Sequence, residues 1–312
     1  MQITQMIRRN RRKNKGLVTI KNILILSLII GSFSGGYKVY NHFYNKDGQA
    51  SRVEIVKDVE ETKPKNEGST TDRGLIKGSN VNEKGDKYTY DISKLKGLMS
   101  SKKDGKKMVF LTFDDGPSVT VTSKILDVLN EEEVKATFFL IGKSVEADEK
   151  SKQIVKRAFE DGHALGNHTY SHDLKKIYPG NKIDIGTYMN EVNETNEVIR
   201  GIIGQDFHTR VLRMPGGYMS RKHYNDPNLD EFSTRLKENN MYEIDWNAYD
   251  FDSEGKKKTA DEIFELTKAS IGTTEKVVLL MHDTYGKEET AKALPRIIRY
   301  LKEKGYEFRT LR

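Results

Sequence analysis

From Lys106 to Arg312 the chain repeats one pattern: a short β-branched or aromatic run, then a stretch with helical periodicity. The runs are Met108–Phe113, Ala136–Ile141, His163–Asn167, Val211–Met214, Tyr242–Trp246, Val277–Met281 and Tyr306–Thr310. Between most of them lie helical patterns, Lys124–Glu132, Glu149–Glu160, Thr187–Ile203, Leu229–Asn239, Thr259–Ile271 and Glu289–Lys304. Strands joined through helices pair in parallel, with the helices packed outside the sheet. Seven such runs predict an α/β fold, a distorted (β/α) barrel of about seven parallel strands. In such barrels the chemistry belongs at the C-terminal ends of the strands.

The polar clusters fall at those ends. Asp114 and Asp115 stand where the first run breaks at Gly116-Pro117. Neighbouring residues at a strand end point in different directions, so one carboxylate can take a metal while the other faces a substrate. An Asp-Asp-Gly-Pro is also an ordinary turn. His168 and His172 follow the third run, four apart, the spacing that puts two imidazoles on one side of a helical turn. Arg213-Met214-Pro215-Gly216-Gly217, Asp245-Trp246-Asn247 with Asp250 and Asp252, and Leu280-Met281-His282-Asp283 end the next three. Taken singly these read as a surface arginine, a core tryptophan and a satisfied histidine. Clusters at five strand ends argue for one shared site.

Cysteine is absent, which excludes disulfides, thiolate zinc sites and a cysteine nucleophile, and leaves His, Asp or Glu to hold any metal. Asp115 with His168 and His172 makes a two-histidine, one-carboxylate set with positions open for water and substrate.

The segments TFDDGP, GHALGNHTYSH, RMPGG, DWN with the aspartates after it, and LMH, in this order over about residues 106–312, resemble the five motifs of the NodB-homology polysaccharide deacetylases, carbohydrate esterase family 4. Within that family the chain resembles bacterial peptidoglycan N-acetylglucosamine deacetylases. The resemblance implies a distorted (β/α) barrel that hydrolyses N-acetyl groups on a cell-wall polysaccharide. It implies that Asp115, His168 and His172 bind a divalent metal, zinc in most members and cobalt, manganese or nickel in some. It makes Asp114 the general base and Arg213 its ionic partner. His282 becomes the general acid, oriented by Asp252. Trp246 walls the sugar pocket, with Pro215, Gly216 and Leu280 also lining it. Many members have a tyrosine where this chain has Gly216, and the family uses that residue's backbone N–H to hold the oxyanion, so glycine keeps the donor and loses the ring. Tyr249 stands where an acid is common, with Asp250 beside it.

The formal charge of +7 is not spread over the chain. Residues 1–50 hold nine Lys and Arg against Asp47 alone, which leaves 44 bases and 45 acids in the remainder. A nucleic-acid enzyme carries its basic surface on the catalytic domain, so no nucleic-acid partner is expected. Arg8, Arg9, Arg11, Arg12, Lys13 and Lys15 precede an uncharged run of 16 residues, Asn22–Tyr37. That run approaches the roughly 20 needed to cross a bilayer, with Lys21 and Lys38 placed to snorkel. No alanine precedes Ala50, so an A-x-A cleavage site is missing. The expectation is a basic cytoplasmic segment (1–21), a single-pass signal-anchor (22–40), a flexible extracytoplasmic stalk (41–105) and a deacetylase domain (106–312) outside the cell. A cleaved signal peptide and secretion are the alternative.

Two rival functions share the site residues. A non-haem iron oxygenase uses the same kind of facial triad but needs neither Asp114 nor His282. A barrel that only grips polysaccharide would not need the full set. Within the deacetylases, chitin oligomers or poly-N-acetylglucosamine are alternative substrates. No protein partner is expected.

Overall fold

The computed structural model describes residues 74–100 and 103–312, with the backbone of Phe43–Tyr44 (β1) and Ala50–Ser51 (β2). The chain divides into two units, Met1–Glu67 and Gly68–Arg312. In the first, β1 pairs with β2 antiparallel. The expected basic segment and membrane helix lie outside the described residues, among which no helix is long and apolar enough to cross a membrane.

The second unit opens with α1 (Glu83–Asp86), β3 (Thr89–Tyr90) and α2 (Ile92–Met99). It continues through β4 (Met108–Gly116), α3 (Thr122–Glu131), β5 (Thr137–Leu140), α4 (Gly142–Glu146), α5 (Glu149–Glu160), β6 (Ala164–Asn167), α6 (Leu174–Ile177) and α7 (Ile185–Ile203). Then follow β7 (Val211–Leu212), α8 (Tyr218–His223), α9 (Leu229–Glu238), β8 (Tyr242–Glu243), β9 (Ala248–Tyr249), α10 (Ala260–Ile271), β10 (Lys276–His282), α11 (Glu288–Glu303) and β11 (Glu307–Leu311). All seven expected runs form strands, and every ladder in this sheet is parallel.

Strand β4 is the centre. It pairs with β10 along its length, while its other edge is shared by β11 near Met108 and β5 near Asp114. The sheet runs on through β6 and β7 to β8. The expected fifth strand is shorter than its apolar run, because the chain changes partner inside it. Ile244 N–H still donates to Leu212, but Asn247 N–H donates to Val278, and β9 then pairs with β10. One stretch of chain thus turns the sheet from β7 toward β10, which is the distortion in the barrel.

Alternation along the strands separates the two faces. Val109, Leu111 and Phe113 join the outer helices in one core, with Ile125, Leu129 and Ile297. Phe110 faces the other way, into a cluster with Phe139, Val211, Ile244 and Val278. Thr112 and Asp114 therefore follow Phe110 up the inner face, as Leu280 and His282 follow Val278.

Ile92 and Leu95 of α2 belong to that inner cluster, with Leu98 and Met99 packed on it. Residues 74–100 are therefore not stalk, and the domain begins well before Lys106. Apolar side chains at helical spacing, capped by Asp91 whose carboxylate accepts from Ser93 N–H, pack against the barrel interior. Burial of each such side chain is worth about 1.5–3 kcal/mol. Asn80 fastens the segment further, its amide donating to the carbonyls of Leu165 and Leu311, both at 3.0 Å.

Candidate active site

Two adjacent carboxylates reach one cleft because the strand carrying them is irregular. Asp114 pairs with Phe139 and Gly116 with Leu140, so Asp115 is one residue too many for β5. Simple alternation would send Asp115 toward the outer helices. Instead it takes φ 71°, and this bulge turns its side chain back to the site. Its Oδ1 lies 3.3 Å from His168 Nε2 and 3.4 Å from His172 Nε2.

The histidine pair does not stand on a helical turn. His168 to His172 form an irregular loop after β6, with Thr169 at φ 65° and His172 at φ 52°. Non-glycine residues hold that conformation only where surroundings impose it. Here Asn167 Oδ1 accepts from Thr169 N–H, Thr169 Oγ1 accepts from His172 N–H, and Glu191 takes both the N–H (2.9 Å) and the hydroxyl (2.7 Å) of Ser171.

The donor set fits a cation. His168 Nδ1 is 2.8 Å from the Arg213 carbonyl, which can only accept, so Nδ1 carries the hydrogen and Nε2 of the neutral ring presents a lone pair. That lone pair faces Asp115 Oδ1, a buried atom with no hydrogen-bond partner among the described residues. One ligand atom from each of Asp115, His168 and His172 lies within 4.8 Å of the others. The His168 lone pair and the Asp115 oxygen, acceptors face to face, need a proton or a metal ion between them. Accordingly, burial pulls the His168 pKa down, but the charges of Asp114 and Asp115 and the Asp115 contact carry it above its ordinary value. His172, lowered by burial and by the neighbouring imidazole, is the readier to be neutral.

Beside this group Asp114 is buried against Arg213, whose Nη1 donates to Asp114 Oδ1 at 2.9 Å and to Thr112 Oγ1 at 2.7 Å. Arg213 is fully buried, and its Nε donates to the Ile244 carbonyl. The guanidinium also lies over the rings of Phe139 and Trp246, at 4.2 and 5.7 Å. Asp114 Oδ2 is left free of the arginine, 3.9 Å from His168 Nε2.

His282 faces Asp114 across the β4–β10 ladder. Its Nδ1 is 2.6 Å from Asp252 Oδ1, and its N–H donates to Asp252 Oδ2. Burial lowers the His282 pKa, but the hydrogen bond and charge of Asp252, with the charges of Asp114 and Asp115, raise it to about 9. Asp252 is thereby the partner of His282. Asp250 is a different kind of group: burial and the Asp252 charge raise its pKa, and it accepts from Asp252 N–H instead.

Of the expected lining residues, Leu280 is largely buried two residues before His282 on the same face of β10. Trp246 packs beside Gly217, where an added Cβ would meet its ring at 3.1 Å. Gly216 is exposed, at φ 77°, in the loop that begins with Pro215.

The polysaccharide deacetylase family model matches residues 101–230. A peptidoglycan-N-acetylglucosamine deacetylase of Bacillus cereus is 35% identical over 209 residues, covering 66% of this chain and 67% of the relative. The chain belongs to the polysaccharide deacetylase family. A second Bacillus cereus peptidoglycan-N-acetylglucosamine deacetylase is 28% identical over 293 residues, 93% of this chain and 91% of the relative. The structure of a Streptococcus mutans CE4 esterase superposes with a TM-score of 0.70 at 35% identity, covering 77% of this chain and 99% of that one. A polysaccharide deacetylase is a hydrolase of amide bonds, which removes the oxygenase reading.

Several further residues of this deacetylase site had no role assigned from the sequence. Asp245 accepts from the N–H groups of Tyr218 and Met219, both at 2.8 Å, and so holds the loop after Arg213. Lys287 and Thr290 donate to the carbonyl and to Oδ2 of Asp252. Asp283 is fully buried behind the bulge, where burial pushes its pKa up to about 7, and its Oδ2 accepts from Thr122 Oγ1 at 2.7 Å. A Cβ on Gly116 would lie 2.3 Å from that carboxylate, so only glycine fits there. Asp245, within the DWN segment, and Asp283, at the end of its cluster, were named from the sequence without a role; Lys287 and Thr290 carry no local signal.

Proposed function

We propose that this deacetylase removes N-acetyl groups from the N-acetylglucosamine of peptidoglycan, using a divalent cation held by Asp115, His168 and His172. The observation that carries the cation is the buried Asp115 oxygen facing the His168 lone pair. The substrate reading rests on the Bacillus cereus relatives, one of which aligns over nearly the whole chain.

A cation at these three ligands would polarise the acetyl oxygen and lower the pKa of water. The chain's own residues supply the rest. Arg213 fixes Oδ1 of Asp114, leaving Oδ2 to take a proton from the attacking water. The Gly216 N–H is the donor for the oxygen that becomes negative as the carbonyl carbon turns tetrahedral. His282, with Nδ1 bound to Asp252, delivers a proton from Nε2 to the leaving amine as the carbon–nitrogen bond breaks. Acetate and a free glucosamine amine result.

The basic segment and the uncharged run that follows favour a single-pass anchor with this domain outside the cell, next to the wall. Protease added to intact protoplasts should then trim the domain while the N-terminus stays membrane-bound; a mature chain free in the medium would replace the anchor with a cleaved signal. The function itself is tested by incubating the protein with purified peptidoglycan and, separately, with chitin oligomers. Acetate release from peptidoglycan is the expected result, and release from chitin alone would redirect the substrate.

A further inference from the structure

The loop that offers the Gly216 N–H has little of its own to hold it. Gly216 and Gly217 take φ 77° and 83°, and residue 216 has no side chain to anchor the peptide. Among the described residues no backbone acceptor takes the Gly216 N–H. Yet a donor contributes to catalysis only if it already points where charge will develop.

The peptide unit is held from behind. The hydroxyl of Tyr178 donates to the Pro215 carbonyl at 3.1 Å. In a trans peptide the C=O and the following N–H point in opposite directions. Fixing the carbonyl toward Tyr178, which is buried in the cluster around Tyr188 and Phe232, aims the Gly216 N–H away from that core. Exposed Gly216 presents it to the open side. Tyr178 is itself immobilised. The Arg221 guanidinium lies over its ring at 4.2 Å, and the Tyr188 ring stands 6.0 Å away. Arg221 is held in turn by Asn181 Oδ1 at 2.9 Å. Beyond the glycines, Gly217 N–H donates to Met214 at 2.7 Å, and Asp245 pins Tyr218 and Met219.

We infer that Tyr178 is a positioning residue for the oxyanion donor, setting the Gly216 N–H through the Pro215 carbonyl. The inference rests on the deacetylase reading of the site given above. Tyr178 lies outside the five motifs, and its clamp does from behind what a side chain at position 216 cannot do in this chain.

The test is Tyr178→Phe in the full-length protein, which keeps the ring and its packing and removes only the hydroxyl. The kcat for acetate release should fall about tenfold, less than the roughly 10²–10³ for deleting an oxyanion donor outright, because the N–H remains but loses its aim. KM and the affinity for added Zn²⁺ should stay within about twofold of wild type. Affinity for a phosphonamidate analogue of the tetrahedral state should fall by the same factor as kcat. Wild-type kcat and analogue affinity in the variant, or a loss of Zn²⁺ affinity matching the loss of kcat, would overturn the inference while leaving the function intact. A wild-type protein that releases no acetate would remove the function, and the inference with it.

Discussion

The two halves of the cleft are built in opposite ways. On the side of β4 and β6, Asp115, Thr169 and His172 all take left-handed backbone conformations, and the side chains of His168 and His172 converge on Asp115. On the side of β10 the backbone is a regular ladder through His282, and the partners of His282 are satisfied by protein. Asp252 accepts from His282 and from Thr290, while Lys287 holds its carbonyl. The first half gathers groups that the proposed cation would satisfy; the second is satisfied by protein groups alone. Irregular backbone gathers ligands that a strand alone would separate, and regular backbone suffices where a single proton is to be held in place.

The sharpest break of this comparison is on the ligand side. Asp115→Asn, His168→Ala and His172→Ala should each abolish stoichiometric metal and acetate release together, since three protein ligands leave no redundancy. Metal analysis of the purified variants checks this, and metal retained by His172→Ala would redraw the set. Asp114→Asn lies on the boundary between the halves. It should lower kcat by on the order of 10²–10⁴ with metal content near wild type, read by steady-state kinetics beside metal analysis.

The strands were legible because each is a β-branched or aromatic run, five of them ended by a polar cluster. In the structure, period-two alternation puts Thr112, Asp114, Leu280 and His282 on one face. The bulge at Asp115 was not legible: nothing in Asp-Asp-Gly-Pro distinguishes a left-handed aspartate from an extended one. It shows only as the extra residue against β5. The His168–His172 spacing suggested a helix, since four residues make a turn, but the hydrogen bonds of Asn167 and Glu191 impose another path. Helix α2 was hidden because Ile92, Leu95 and Leu98 sit among lysines and serines, and an isolated short helix owes its stability to the surface it covers. That surface, the inner barrel cluster, is made by strands far along the chain.

A smaller effect is expected from the acid's partner, and its direction follows from the charges. In the proposed mechanism His282 must be protonated to deliver its proton, so activity should fall as pH rises through its pKa of about 9. Asp252 supplies the hydrogen bond and charge that raise that value against burial. Asp252→Asn should therefore move the alkaline limb of the pH–rate profile to lower pH, with about a tenfold loss at the optimum. An unmoved limb would detach Asp252 from the acid.

The independence of the two halves is tested most directly by titrating Zn²⁺ into His282→Ala while measuring its kcat for acetate release. The account predicts wild-type metal affinity with kcat lowered by on the order of 10²–10⁴, because His282 acts on the leaving amine and holds no metal. Loss of metal in step with loss of activity would contradict it, and would make His282 part of the metal centre.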